Sequence, residues 1–248
     1  MIQSGPTLFS KHHIAIGESC FPFLENSLDG LNIPVLSIPD NPYVDSRLKG
    51  HADLSIFCPD ESTAFISPHL TGTDFAFSLS ELGYSVIPVT DSFGNTYPYD
   101  CALNICLIGD WLVANRKTAS KQALEYCVHQ LGKKPIWVNQ GYAKCSICVL
   151  NDHTIITADA GIADATRRNG IETLQLESDC SVLEGYSNGF IGGCGFKFGD
   201  SHFCFTGIFD NFSLRDSNLI LETLSQNKLE AVFLTTQPLF DIGGLILL

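Results

Sequence analysis

His51-Ala-Asp53 sets an imidazole and a carboxylate two residues apart in an apolar stretch. On an extended strand that spacing sends both side chains, with Ser55, to one face and Ala52, Leu54 and Ile56 to the other. An imidazole can shuttle a proton and a carboxylate can hold a cation. Three further apolar stretches carry a polar group at a corresponding position: Asn104, Lys144 and Cys194. In the stretch around Lys144, the same alternation groups Tyr142, Lys144, Ser146 and Cys148 on one face and turns Cys145 toward the core. Cys194 stands between Gly193 and Gly195, where a ligand can approach the backbone, and a neighbouring Lys144 would favour its thiolate. If the four stretches meet at one axis, burying these groups is costly unless they are paired or functional, which marks a candidate site. The other reading is an Asp53–Lys144 ion pair bridged by Asn104, with Cys194 as a small packing residue. Cys145 and Cys148 match Cys-x-x-Cys, but on a strand the odd spacing points them apart, against a redox or zinc pair.

The elements that must position these groups repeat five times. A first strand with polar, Gly or Ala positions is followed by an apolar second strand, a helix, and an apolar third strand. The helix ends are Leu28-Asp-Gly30, Glu81-Leu-Gly83, Gln130-Leu-Gly132 and Arg168-Asn-Gly170, with Asn227 serving in the remaining unit. First strands are expected at His51–Phe57, Ala102–Leu107, Tyr142–Cys148, Gly192–Lys197 and Gly243–Leu248. Second strands are expected at Thr63–Ser67, Trp111–Asn115, Thr154–Ala158, His202–Thr206 and His13–Gly17. Third strands follow at Tyr84–Val89, Pro135–Asn139, Thr173–Leu176, Ala231–Thr235 and Pro34–Ile38. Ser213-Leu-Arg-Asp216 has capping-box spacing at the start of the last helix.

The chain opens on a second strand and ends on a first strand. Pairing Gly243–Leu248 with His13–Gly17 completes one unit from both termini and removes a sheet edge. A helix between parallel second and third strands fits the right-handed crossover. The expectation is therefore one domain over residues 1–248, five ββαβ units around a pseudo-fivefold axis. A doubly wound sandwich uses the same elements without explaining the split unit. In the ring, His51, Asp100, Tyr142, Gly192 and Gly243 share a rim with Glu18, His69, Arg116, Asp159 and Asp210, although each also suits a turn or cap. Asp100 and Ala102 alternate with Asn104, so a register slip would exchange which group reaches the axis.

Composition narrows the functional classes. The 248 residues are 45% hydrophobic and 17% charged, with a formal net charge of −13. The 14 Lys and Arg form no cluster, so a nucleic-acid partner is not expected. No apolar run approaches the ~20 residues of a membrane helix. The start Met1-Ile-Gln-Ser-Gly-Pro6 lacks a basic and an apolar region, and the ten cysteines are scattered in apolar segments. Both features suit a reduced, cytoplasmic protein. His12-His13 reads as a surface pair. There is no phosphate loop or nucleotide fingerprint, so no cofactor or metal is expected.

With five ββαβ units, the chain resembles the pentein, or guanidine-modifying-enzyme, superfamily. That group includes arginine and agmatine deiminases, amidinotransferases and dimethylarginine hydrolases. The strings Gly50-His-Ala-Asp53, Tyr97-Pro-Tyr-Asp100, Gln140-Gly-Tyr-Ala-Lys-Cys-Ser146, Gly189-Phe-Ile-Gly-Gly193 and Asp241-Ile-Gly-Gly244 resemble an uncharacterised bacterial family of that fold group. The resemblance implies a pentein-type α/β propeller acting on a small guanidino or amidine cation, as a hydrolase, deiminase or amidinotransferase. In such enzymes a Cys thiolate attacks the guanidinium carbon, a His is the acid/base and carboxylates hold the cation. His51-Ala-Asp53 matches the His-x-Asp pattern, implying His51 as acid/base and Asp53 as cation anchor. Asn104, Lys144, Asp100 and Tyr142 are the expected substrate-binding residues, and Cys194 the substitute nucleophile. The superfamily's Gly-Gly-x-x-Cys motif places Leu247 where its cysteine stands, and Gly192-Gly193 likewise leads to Phe196. The His-x-Asp unit also comes early, whereas the enzymes place it late. These departures support the alternative of a non-catalytic protein binding a small molecule or a protein partner.

Overall fold

In the computed structural model, which describes residues 13–31, 33–90 and 94–248, short apolar β-branched runs alternate with capped helices. Residues 1–6 and His12 lie outside that set. In chain order the elements are β1 (Ile14–Gly17), α1 (Glu25–Gly30), β2 (Val35–Ile38), β3 (Ile56–Asp60), β4 (Thr63–Ile66), α2 (Asp74–Glu81) and β5 (Ser85–Pro88). They continue as β6 (Cys106–Ile108), β7 (Trp111–Ala114), α3 (Lys121–His129), β8 (Lys134–Trp137), β9 (Cys148–Val149), β10 (Thr154–Thr157), α4 (Ala160–Arg168) and β11 (Glu172–Gln175). The last are β12 (Gly195–Phe198), β13 (His202–Phe205), α5 (Leu214–Gln226), β14 (Glu230–Phe233) and β15 (Ile246–Leu247).

The strands form five three-stranded sheets, each with a second strand at its centre. Every centre strand is antiparallel to its first strand and parallel to its third, as in β3–β4–β5. In the fifth sheet β15 pairs with β1, Ile246 opposite Ala15 and Leu247 opposite Ile14, so both chain ends build one unit. Apolar side chains pack between neighbouring units. Phe57 and Phe65 of the β3 sheet meet Leu124 and Cys127 of α3. Cys106 and Val113 meet Ile155 and Ile162 of the next unit. Ile156 meets Phe203 and Ile220. Phe196 and Cys204 meet Ile14 and Leu28. Ala15 and Leu248 then meet Ile56 and Phe75 of the first sheet. The series of packed pairs returns to its first member, and this places the inner, first strands around a common axis.

The helix starts follow the sequence expectation. Ser213 Oγ accepts the Asp216 N–H at 3.0 Å, and Asp159 Oδ1 accepts the Ile162 N–H at 2.8 Å. At the helix ends Gly83, Gly132 and Gly170 take positive φ, but in the last unit Lys228 (φ 60°), not Asn227, takes the left-handed position. Asn227 still closes α5 as its C-cap, its Nδ2 donating to the Thr223 carbonyl at 2.8 Å, while its Oδ1 accepts from Asn151 and Thr154.

The first strands start three to six residues later than the sequence suggests. Ala52–Leu54 and Ile191–Gly193 are single 3-10 turns. The N–H groups of Ser55, Asn104, Ser146 and Cys194 bond to carbonyls three or four residues back rather than to a strand. The centre strands are only four residues long and offer little ladder there, so local turns satisfy the backbone. Period-two alternation therefore does not hold at the polar positions, Cys145 among them. Among the described residues no helix is long and apolar enough to cross a membrane.

Candidate functional site

His51 and Asp53 flank the first residue of the Ala52–Leu54 turn, and both are buried. The turn is held against the last unit by the Asp53 N–H, which donates to the Gly243 carbonyl at 3.2 Å. Gly243 (φ +69°) sits so close that a Cβ there would lie 2.5 Å from that of His51. Two residues earlier, Asp241 is fixed by backbone donors. Its Oδ1 accepts the Gly243 N–H at 2.8 Å and its Oδ2 the Phe190 N–H at 2.9 Å. The Asp241 carboxylate is packed directly on Gly193, where a Cβ would meet Oδ1 at 1.9 Å. His51 Nδ1 lies 3.9 Å from Asp241 Oδ1, both side chains buried.

Cys145 completes the group. Its N–H donates to Asn104 Oδ1 at 3.1 Å, and its Sγ accepts Asn104 Nδ2 at 3.0 Å. The thiol donates to Asp53 Oδ2 at 2.9 Å. Asn104 thus grips backbone and sulfur of one residue and aims the S–H at a carboxylate. Asp53 Oδ1 is buried without a hydrogen-bond partner. Burial pushes the Asp53 carboxyl above its ordinary range, more than the Lys144 and His51 charges pull it down. Burial, then the Asp53 and Asp241 charges, push the Cys145 thiol well above its ordinary range, against the pull of Lys144. The expectation that Cys145 faces away from the polar group is corrected: a helical turn, not a strand, carries it, and period-two alternation does not apply.

His51, Cys145 and Asp241 line a cavity of about 220 Å³ with apolar walls that include Leu48, Leu54, Leu183 and Phe190. Tyr142 closes one side, its ring 6.0 Å from that of Phe190. The Tyr142 hydroxyl donates to Asp100 Oδ2 at 2.6 Å, while Asp100 Oδ1 is buried and unpartnered. Burial raises the Asp100 carboxyl, and burial followed by the Asp100 bond and charge raises the Tyr142 phenol. The arrangement offers a thiol, an imidazole and carboxylates around a small apolar pocket.

Residues 16–246 match a family described as "Family of unknown function (DUF6873)". The chain belongs to that family. Comparison with curated protein sequences gives no match. Among solved structures the chain is similar to DDAH from Pseudomonas aeruginosa, a Cys-to-Ser mutant complexed with citrulline. The TM-score is 0.51 at 9% identity, over 89% of this chain and 91% of that one. It is similar to the substrate-bound N-terminal domain of ArgZ, a cyanobacterial arginine dihydrolase, with a TM-score of 0.52 at 12% identity over 92% and 91%. Agmatine deiminase from C. jejuni, with substrate bound, gives 0.50 at 11% over 94% and 90%. At such identities the likeness is one of fold: this family member has the pentein fold.

In this DUF6873 chain the remaining candidates divide. Lys144 Nζ donates to the Gly192 carbonyl at 2.8 Å and faces, with Asp53, a second cavity on the axis. Among the described residues no Lys144–Asp53 contact reaches ion-pair distance, so the bridged pair allowed by the sequence does not form. Cys194 is fully buried among Ile191, Cys148 and Phe203, and its thiol donates to the Phe190 carbonyl at 3.1 Å. Burial pushes that thiol well above its ordinary range. Leu247 pairs with Ile14 in β15. Of the rim residues, His51 and Tyr142 line the cavity with Cys145, whereas Gly192 lines the axial one. Asp159 caps α4, and His69 bonds to Ser67 and Pro39. Sequence reasoning missed Asp241 and Cys145 as site residues. Both lie in motif strings, Asp241 just before Gly243-Gly244 and Cys145 beside Lys144, but they meet His51 and Asp53 only across long stretches of chain, 92 residues for Cys145 and Asp53.

Proposed function

We propose that the cavity bounded by His51, Cys145 and Asp241 takes a small guanidino or amidine cation and hydrolyses it, with Cys145 as the nucleophile. The observation that carries this reading is the Cys145 thiol, donating to Asp53 beside a cavity that His51 and Asp241 also line. The structural neighbours, which include a dimethylarginine dimethylaminohydrolase, an arginine dihydrolase and an agmatine deiminase, support the same substrate class. A planar cation over the thiol places its N–H donors near the Asp241 carboxylate, and its charge favours the thiolate.

The Cys145 proton passes to Asp53 Oδ2 along the existing hydrogen bond, and the thiolate forms an S–C bond to the amidinium carbon. The C–N bond breaks as the leaving amine takes a proton from the His51 imidazolium. Water then adds to the carbon, giving a proton to His51. Collapse breaks the S–C bond as the adduct's hydroxyl proton passes to the released amine, which leaves as its ammonium, frees the neutral ureido or amide product, and returns the Asp53 proton to sulfur. The net reaction consumes one water and releases one amine.

Cys145 in the free site is held as a neutral thiol, so neutral alkylating agents should label it slowly. The cationic agent 2-chloroacetamidine should label the wild type stoichiometrically, and Cys145→Ser not at all. Equal labelling of both proteins, or no preference for the cationic agent, would count against the nucleophile. The high Cys145 pKa and Leu247 at the superfamily's cysteine position favour a second reading, a binder without turnover. Thermal stabilisation by guanidino ligands, lost in Asp241→Asn and unaccompanied by product, would select it.

A further inference from the structure

The second cavity lies on the axis beyond Asp53 and encloses about 290 Å³. All five units contribute to its apolar wall, with Phe57, Leu103, Ile147, Phe196 and Leu247 as representatives. Its polar groups are Asp53, Lys144 and Lys197, with cysteine thiols between them. An ammonium has three N–H donors, and Lys144 spends one on the Gly192 carbonyl. Among the described residues no carboxylate stands within ion-pair distance of Lys144 or Lys197. The burial of Lys144 opposes its charge, yet the neighbouring Asp53 charge leaves its pKa raised, so it stays cationic. Asp53, itself buried, has a second oxygen without a partner. Lys144 thus keeps spare N–H donors in an apolar cavity, with Asp53 on the same wall but beyond ion-pair distance.

We propose that this axial cavity is a second binding site, distinct from the Cys145 cavity, for a small carboxylate with a branched apolar body. The carboxylate accepts the spare Lys144 donors, and charge-assisted bonds in apolar surroundings are the strong ones. The hydrocarbon body displaces water from the five-unit wall. An organic acid and an α-amino acid share this chemistry, and the second adds an ammonium on the side of the cavity where Asp53 stands.

Isothermal titration of the whole protein with 3-methylbutanoate, leucine and 3-methylbutylamine tests this site. One or both carboxylates should bind saturably, and the amine should not compete with them. Leucine binding more tightly than 3-methylbutanoate assigns the amino acid; the reverse order assigns the organic acid. Lys144→Met should weaken binding about tenfold or more. Should that variant not fold, Leu247→Trp decides: Leu247 is half-exposed at the cavity wall, and the larger ring should abolish binding by filling the space. Absence of carboxylate binding to the wild type, amine binding that competes with the carboxylate, or carboxylate binding that survives the folded variants overturns the proposal. None of these outcomes depends on Cys145 reactivity, so this site and the proposed hydrolysis stand or fall separately.

Discussion

Asp53 is a buried carboxyl with one partnered and one free oxygen, and its titration is a direct probe of the site. Its folded pKa lies above the ordinary 3.8, so the folded protein keeps a proton that the unfolded chain has lost. The stability from protonated Asp53 is full below about pH 3.8 and declines as pH climbs through the folded pKa. The melting temperature of wild type relative to Asp53→Asn should therefore fall as pH rises through the acidic range; parallel profiles would show that Asp53 is not perturbed. Tyr142→Phe removes the 2.6 Å bond to Asp100 and leaves both oxygens of a buried carboxyl without partners. A loss of about 1–3 kcal/mol in urea denaturation is expected; an unchanged midpoint would mean that water replaces the phenol. The polar residues of this group were legible from their types in apolar stretches. Their partners were not, because Cys145 meets Asp53 across 92 residues of chain.

Among the elements, helices were read more accurately than inner strands. Ser213 and Asp159 announce helix starts because their side chains satisfy backbone donors a few residues away. Asp159→Ala should cost about 1 kcal/mol by thermal or chemical unfolding, and no loss would exclude the cap as a stabilising contact. The inner strands are two to five residues long, preceded by turns. Extended and turned backbones compete evenly over so few residues, and the contacts of neighbouring units decide. Gly193→Ala tests that packing, since its Cβ would displace Asp241. It should destabilise the fold by about 1–3 kcal/mol and reduce labelling of Cys145 by 2-chloroacetamidine. Normal stability with normal labelling would show that Asp241 does not need its present seat.

For the whole molecule, the unit shared by β15 and β1 makes the fold depend on contacts between residues far apart in the chain. Removing residues 246–248 would expose the β1 edge and take Leu248 from the core between the last and first units. The truncated chain should melt at a markedly lower temperature in one transition; an unchanged melting temperature would show that the pairing adds little. The sequence by itself determined the five ββαβ units, their order and the sharing of one unit between the two ends. The units themselves are local features, since apolar runs, capping residues and helix-ending glycines act within a few residues, and the order in which the elements occur leaves one unit to be shared. Tertiary structure decided which side chains meet. It placed Cys145 rather than Cys194 beside Asp53, brought Asp241 to His51, and gave Lys144 to an axial cavity. These contacts join first-strand turns from different units, and their side-chain directions follow from turn geometry and inter-unit packing, which no period along the chain encodes.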